Sequence, residues 1–287
     1  MKKEIILSLL TATILSSCAS EQEDDVFIPR IIVEGWIDEG SPATVILTQM
    51  LPYNDNSESG PLDMNNIPIR WATVSISDGE RSEMLVGRID TDYTPPYIYS
   101  GSGIRGEAGK EYTLTVKYSG RLLKAVTTVP ETVPIDSYEV SQSPSCDTLY
   151  SIRIHFKDDP EQKNYYKVFT KVKNTDKRYF AAFMGDLSDE VISTDAYMTV
   201  NRAFRHTRLY QHTPYFKIDD TVYVKFTQLP VEGFEFWSSY ENEVTNGSNI
   251  LFPSMDNLKT NISGGGRGIW CGYGADIQEI IIGDEIK

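Results

Sequence analysis

The chain has 287 residues, 40% of them hydrophobic and 24% charged, with a formal net charge of −14 at pH 7. That apolar share suits a globular chain rather than a disordered one, and the length allows one large domain or two smaller ones. The acidic balance argues against nucleic-acid binding, which needs clustered Lys and Arg on the phosphates, and against adsorption of the protein body to anionic lipid.

Lys2 and Lys3 open the chain, and an apolar run over residues 5–15 ends at Leu15-Ser16-Ser17-Cys18. The run is too short for a membrane-spanning helix, which needs about 20 residues, so residues 1–17 are predicted to be a secretory signal peptide. A small-residue pair before a cysteine resembles the bacterial lipobox, in which the signal is cut before the cysteine and the cysteine is acylated. The acidic run Glu21, Glu23, Asp24, Asp25 resembles the signal that sends Bacteroidota lipoproteins to the outer face of the outer membrane. Cys18 is then the lipid attachment site, and residues 18–27 form a lipidated tether. The membrane contact is a lipid anchor, firm with several acyl chains and marginal with one. No later apolar run reaches 18 residues, so no further span is expected.

From Pro29 the pattern changes to short segments rich in β-branched and aromatic residues. Strands are predicted over 31–37, 44–48, 73–77, 82–86, 97–99, 112–118 and 122–129, with a polar loop over 54–66. Asp78-Gly79 and Ser119-Gly120 supply hairpin turns. Closely spaced strands with frequent turn signals predict an antiparallel β-sandwich as an N-terminal domain over residues 28–130. Pro130 and Pro134 bracket a linker, because proline interrupts a strand ladder. A second β-rich domain over 131–287 carries strands at 149–156, 165–172, 179–183 and 222–226. It also carries one helix over 230–245. Pro230 suits its first turn, Phe234, Trp237, Tyr240 and Val244 recur at helical spacing, and Asn246-Gly247 supplies a stop. The aromatic stripe is predicted to be core rather than a sugar platform. The fold class is therefore all-β with a single helix.

Candidate chemistry is sparse. Cys146 and Cys271 form an even pair in an exported chain, which permits a disulfide if their Cα atoms come within bonding range. His206 and His212 have neither helical nor strand ligand spacing, and His155 stands apart, so no metal site is expected. With three histidines and no G-x-S-x-G elbow or H-E-x-x-H helix, a catalytic triad has little material. The carboxylate pairs Asp90/Asp92, Asp158/Asp159 and Asp219/Asp220 are predicted to be turn residues rather than a glycosidase pair or a calcium loop. Gly264-Gly265-Gly266-Arg267-Gly268 lacks the Lys-Ser/Thr ending of a P-loop and is expected to allow a tight backbone crossing or bulge. Asp147-Thr148-Leu149 and Asp220-Thr221-Val222 look like the Asp-Ser/Thr-apolar acceptor of Bacteroidota O-glycosylation, making Thr148 and Thr221 candidate attachment sites.

Five blocks in order resemble one family, the domain-of-unknown-function 4249 lipoproteins of Bacteroidota. They are Ile32-Val33-Glu34-Gly35-Trp36-Ile37, Val74-Ser75-Ile76-Ser77-Asp78-Gly79, the stretch over 104–114, the stretch over 129–137 and Asn261-Ile262-Ser263-Gly264-Gly265-Gly266 running to Gly272-Tyr273. Trp270-Cys271 departs from the Phe-Gly-like pair expected there. The resemblance implies an N-terminal sandwich similar to transthyretin or carboxypeptidase-regulatory domains. It also implies an outer-membrane surface lipoprotein that is a non-enzymatic, ligand-binding accessory of a TonB-dependent barrel in nutrient uptake. It brings no catalytic residues and no cofactor. The alternatives are a free-standing adhesin or glycan-binding surface module, and a glycan-processing enzyme with an acidic cleft.

Overall fold

The structure is a computed structural model that describes residues 29–49, 67–143, 146–182, 196–202, 206–207, 210–211, 214–246 and 257–283. The signal peptide, Cys18 and its tether, the loop over 54–66 and His212 lie outside the described residues.

The first half forms β1 (Ile31–Asp38), β2 (Pro42–Gln49), β3 (Thr73–Ser77), β4 (Ser82–Met84), β5 (Val86–Ile89), β6 (Tyr97–Arg105), β7 (Glu111–Tyr118) and β8 (Arg121–Thr128). The second half adds β9 (Ile135–Ser143), β10 (Cys146–Phe156), β11 (Tyr166–Val172), β12 (Phe180–Ala181), β13 (Ala196–Val200), β14 (His206–Thr207), β15 (Tyr210–Gln211), β16 (Phe216–Lys217) and β17 (Thr221–Gln228). A single helix, α1 (Val231–Asn246), then leads to the last strand, β18 (Arg267–Ile281). The chain is all-β with one helix among the described residues.

One sheet organises everything else. Its eight strands run β12-β11-β17-β18-β1-β2-β6-β5, and β18 is its spine. The first half of β18 pairs in parallel with β1, from Ile32 opposite Arg267 to Asp38 opposite Tyr273. The second half pairs antiparallel with β17, from Gln228 opposite Gly274 to Thr221 opposite Ile281. A parallel pair needs a crossover between its strands, and here nearly the whole chain is that crossover.

Side chains alternate across a strand, so the sheet has two distinct faces. On one face, Ile31, Val33, Ile37, Val45, Leu47 and Trp270 bury against the four-stranded sheet β4-β3-β7-β8, which supplies Val74, Ile76, Leu114, Val116 and Leu123. This is the N-terminal sandwich. Further along the same face, Val168, Val172, Val222, Val224, Phe226 and Ile280 bury against Ile152, Ile154 and Phe156 of β10, whose partners are β9, β13 and β16. Two sandwiches therefore stand side by side on one sheet. β18, a strand not predicted from sequence and lying within the range given to the C-terminal domain, contributes to both cores, Trp270 to the first and Ile280 to the second.

Local chemistry accounts for the turns. Ser119 and Gly120, at φ 48° and 74°, link β7 to β8, as a two-residue hairpin with positive φ at both central positions requires. The glycine run before β18 makes the predicted close crossing. A Cβ on Gly268 (φ +103°) would lie 1.9 Å from the Val33 carbonyl oxygen, and one on Gly264 2.1 Å from that of Leu122.

Candidate functional site

The opposite face of the long sheet carries α1. Phe236 of the helix and Leu258 beyond it bury against Phe169, Ile269, Cys271 and Tyr273, with Trp36, Tyr179, Phe234, Trp237 and Tyr240 packed around them. The predicted helix over 230–245 is thus present, and Phe234, Trp237 and Tyr240 of its stripe pack partly buried against a core whose buried helix ring is Phe236, outside that stripe. The stripe does more than pack. Trp237 and Tyr240 also line a cleft of about 650 Å³ between the helix and the sheet.

The floor of the cleft comes from alternate residues of the central strands: Glu34, Trp36 and Asp38 of β1, Phe169 and Lys171 of β11, Lys225 of β17, and Tyr273 and Ile277 of β18. Its rim is the loop after β5, with Asp90, Asp92 and Tyr93, and the segment leading into β12, with Lys177, Arg178, Tyr179 and Phe180. These rims come from opposite ends of the eight-stranded sheet, yet they touch. Lys177 Nζ donates to the Thr91 carbonyl oxygen at 3.0 Å. The sheet therefore curls around this face.

Charge in the cleft is organised in pairs, each next to an aromatic ring. Lys225 Nζ lies 2.6 Å from Asp38 Oδ2, with side-chain exposures of 8% and 18%. This pair reaches across β18 and links β17 to β1. The same ammonium sits 5.2 Å from the Tyr273 ring centroid, 5.6 Å from Phe169 and 6.0 Å from Tyr179, within cation–π range of all three. Lys167, only 1% exposed, is bonded to Glu241 of the helix and stands 5.7 Å from the Trp237 ring. Arg178 is 3.3 Å from Glu34 and lies over the rings of Tyr93 and Phe180 at 5.7 and 5.4 Å. Buried ion pairs are costly to desolvate, and an apolar pair of similar size is often as stable or more so. Their presence here marks the layer as more than packing.

Trp237 Nε1 donates to the Tyr273 hydroxyl at 3.0 Å. Burial pushes the Tyr273 phenol well above its usual range and the Cys271 thiol up to about 12. Burial likewise raises Tyr93 and Tyr179. The phenols of Tyr93, Tyr179 and Tyr273 are protonated, neutral donors at pH 7. Asp38 Oδ1 is buried without a hydrogen-bond partner among the described residues.

The residues singled out from sequence lie mostly elsewhere. Cys146 and Cys271 are free thiols, so the permitted disulfide is not made. Cys271 is sealed under the helix in the middle of the long sheet, whereas Cys146 starts β10 in another sheet, where its sulfur contacts Thr148 Oγ1 at 3.2 Å. Thr148 is exposed, and Thr221 is half-buried at the first position of β17. His155 sits on β10, 3.6 Å from Glu139, and among the described residues no group of His, Cys, Asp and Glu could hold a metal ion. Asp158 accepts from Asn164 and from the Tyr166 hydroxyl, and Asp220 accepts from the Lys217 amide, so both serve local structure. Of the three carboxylate pairs, only Asp90/Asp92 reaches the cleft. Lys225, Asp38, Arg178 and Lys167 were not legible as a site. The available signal was a lysine inside each of two strands otherwise rich in apolar residues, since lysine is seldom fully buried unless paired.

The chain matches the family model described as "Domain of unknown function (DUF4249)" over residues 19–276, and it belongs to that family. The match runs through both sandwiches and α1 and includes the cleft residues up to Tyr273. No curated protein matches the chain. Among the described residues, no helix is long and apolar enough to cross a membrane.

Proposed function

We propose that the protein is a lipid-anchored lipoprotein on the outer face of the outer membrane. It holds a ligand in the aromatic cleft and acts without chemistry of its own as the accessory of a TonB-dependent barrel. The observation that carries this is the cleft. Its volume of about 650 Å³ falls in the range of small-ligand sites, roughly 300–1,000 Å³, and its lining combines ring faces with a few placed polar groups. Lys225 and Arg178 are held by Asp38 and Glu34, and Lys177 by the Thr91 carbonyl oxygen, an arrangement suited to recognition by shape and hydrogen bonding. The address comes from the lipobox-like Cys18 and the acidic tether after it, which supply anchorage without any membrane-spanning helix.

The test is a pull-down of the tagged, lipidated protein from outer membranes in mild detergent, followed by mass spectrometry. A barrel of the TonB-dependent class recovered in stoichiometric amount is the expected result. Recovery of the lipoprotein alone, reproduced after cross-linking, would overturn the partnership.

A further inference from the structure

We infer that the cleft takes a neutral polyhydroxylated ligand of one to a few saccharide rings, with a ring hydroxyl that donates to Asp38 and accepts from Lys225. This rests on the cleft being the binding site proposed above, and it names what is bound. The buried pairs Lys225–Asp38 and Lys167–Glu241 make a charged ligand group beside them unfavourable. Arg178 is held by Glu34, Lys225 by Asp38, Glu241 by Lys167 and Asp90 by Arg88 at 3.5 Å. A charged ligand group at Asp38–Lys225 or Lys167–Glu241 would have to separate a buried pair and leave its partner uncompensated.

The Asp38–Lys225 pair is nevertheless incomplete. Among the described residues Asp38 Oδ1 has no hydrogen-bond partner, and of the ammonium's three N–H donors one goes to Asp38 Oδ2 while the rings of Phe169, Tyr179 and Tyr273 lie within cation–π range. Both side chains line the cleft. The terminal torsion of a carboxylate is broad and roughly two-fold, so a modest rotation turns Oδ1 towards the cleft. The group that completes this pair must donate to Asp38 and accept from Lys225. A hydroxyl does both at one atom; a carboxylate only accepts, an ammonium only donates, and an amide divides the two functions between atoms. Trp36, Tyr93, Trp237 and Tyr240 line the cleft around this point, and aromatic rings suit a ligand with its own flat, C–H-bearing faces. A pyranose combines such faces with a hydroxyl rim.

The experiment measures binding to the full-length lipidated protein in a polyoxyethylene detergent, which contributes no sugar headgroup. Calorimetry and tryptophan fluorescence would follow titration with neutral gluco-, manno-, galacto-, xylo- and N-acetylglucosamine oligosaccharides, with succinate and spermidine as charged probes. Saturable binding of a neutral oligosaccharide and of neither charged probe is expected. The double variant Asp38→Asn/Lys225→Met, which leaves no unpaired buried charge, should weaken that binding about tenfold, the scale of a hydrogen bond to a charged group. Its thermal midpoint should stay close to that of the parent. Trp36→Ala should weaken binding without touching the ion pair. Preference for succinate or spermidine, no binding of any oligosaccharide, or sugar binding indifferent to both variants would each overturn the inference. A barrel recovered in the pull-down would leave the accessory reading intact in those cases. Oligosaccharide binding without a barrel would sustain the ligand and remove the partner.

Discussion

Cys271 shows how one residue can carry a pH dependence through burial alone. Its thiol is fully enclosed between the long sheet and α1, and desolvation raises its ionisation to about 12 from an ordinary value near 9. The folded state therefore keeps the proton where the unfolded chain loses it. This contribution is present in full below about pH 9 and is lost as pH climbs towards 12. Tyr99 acts in the same sense, because burial raises its phenol from 10.0 to about 12. Urea midpoints should be level between pH 7 and 9 and then fall with rising pH. Cys271→Ala, although less stable at pH 7, should show a shallower fall, and an identical slope in parent and variant would refute the assignment. The other thiol gives an internal contrast. Hydrogen bonding from Thr148 lowers the Cys146 thiol, which lies half-buried at the start of β10. In a Cys18→Ser variant at pH 8, a thiol reagent should label Cys146 in the folded protein and reach Cys271 only on unfolding.

At the scale of elements, the start of β18 is the place where the sequence is most constrained. Gly268 has φ +103°, and a Cβ there would meet the Val33 carbonyl oxygen at 1.9 Å, so a side chain would break the β1–β18 pairing at its second rung. Gly268→Ala should cost about 4 kcal/mol or more, combining left-handed strain with a backbone clash. Gly265→Ala serves as the control. It has a similar φ of +80° but nothing within 4 Å of its Cβ, and should cost only about 1 kcal/mol. Equal denaturant midpoints for the two variants would show that the crossing is not as tight as described. The glycine run was legible as a crossing because glycine clusters have few other structural uses. The strands at 31–37, 73–77 and 112–118 were legible because one face of each is buried and the period of two survives in the residues. The helix was legible from Pro230 and its aromatic spacing. What remained hidden was pairing at long range. No local pattern says that residues 267–273 lie beside 32–38, and the cleft exists only because that pairing brings the Asp38 carboxylate within 2.6 Å of Lys225 across β18. The strand over 135–143 was also missed, since its burial pattern shows little apolar alternation.

For the whole molecule, β18 makes the two sandwiches one cooperative body. The proline-bracketed segment over 130–134 reads as a linker, and the first sandwich has its own opposing sheet. Yet that sandwich's core includes Trp270, which is fully buried and whose Nε1 donates to the Tyr112 carbonyl oxygen at 2.9 Å. Gly272 donates its amide to the buried Thr127 hydroxyl at 2.8 Å, and the Asn261 side chain bonds both Val126 and Trp270. A fragment over 29–130 would leave β1 as an open apolar edge and a tryptophan-sized void in its core. Deleting a buried tryptophan side chain alone costs about 3–5 kcal/mol, a large share of the 5–15 kcal/mol that holds a typical domain together. That fragment should fail to fold, showing no cooperative melt and a tendency to associate through β1. The protein spanning both sandwiches should melt in a single transition seen alike by far-UV and tryptophan signals. Two separable transitions, or a fragment that melts cooperatively by itself, would mean that the sheet's halves are independent. The cleft would then lie between two bodies and not within one, and ligand affinity would follow their relative motion instead of the fixed spacing of Asp38 and Lys225.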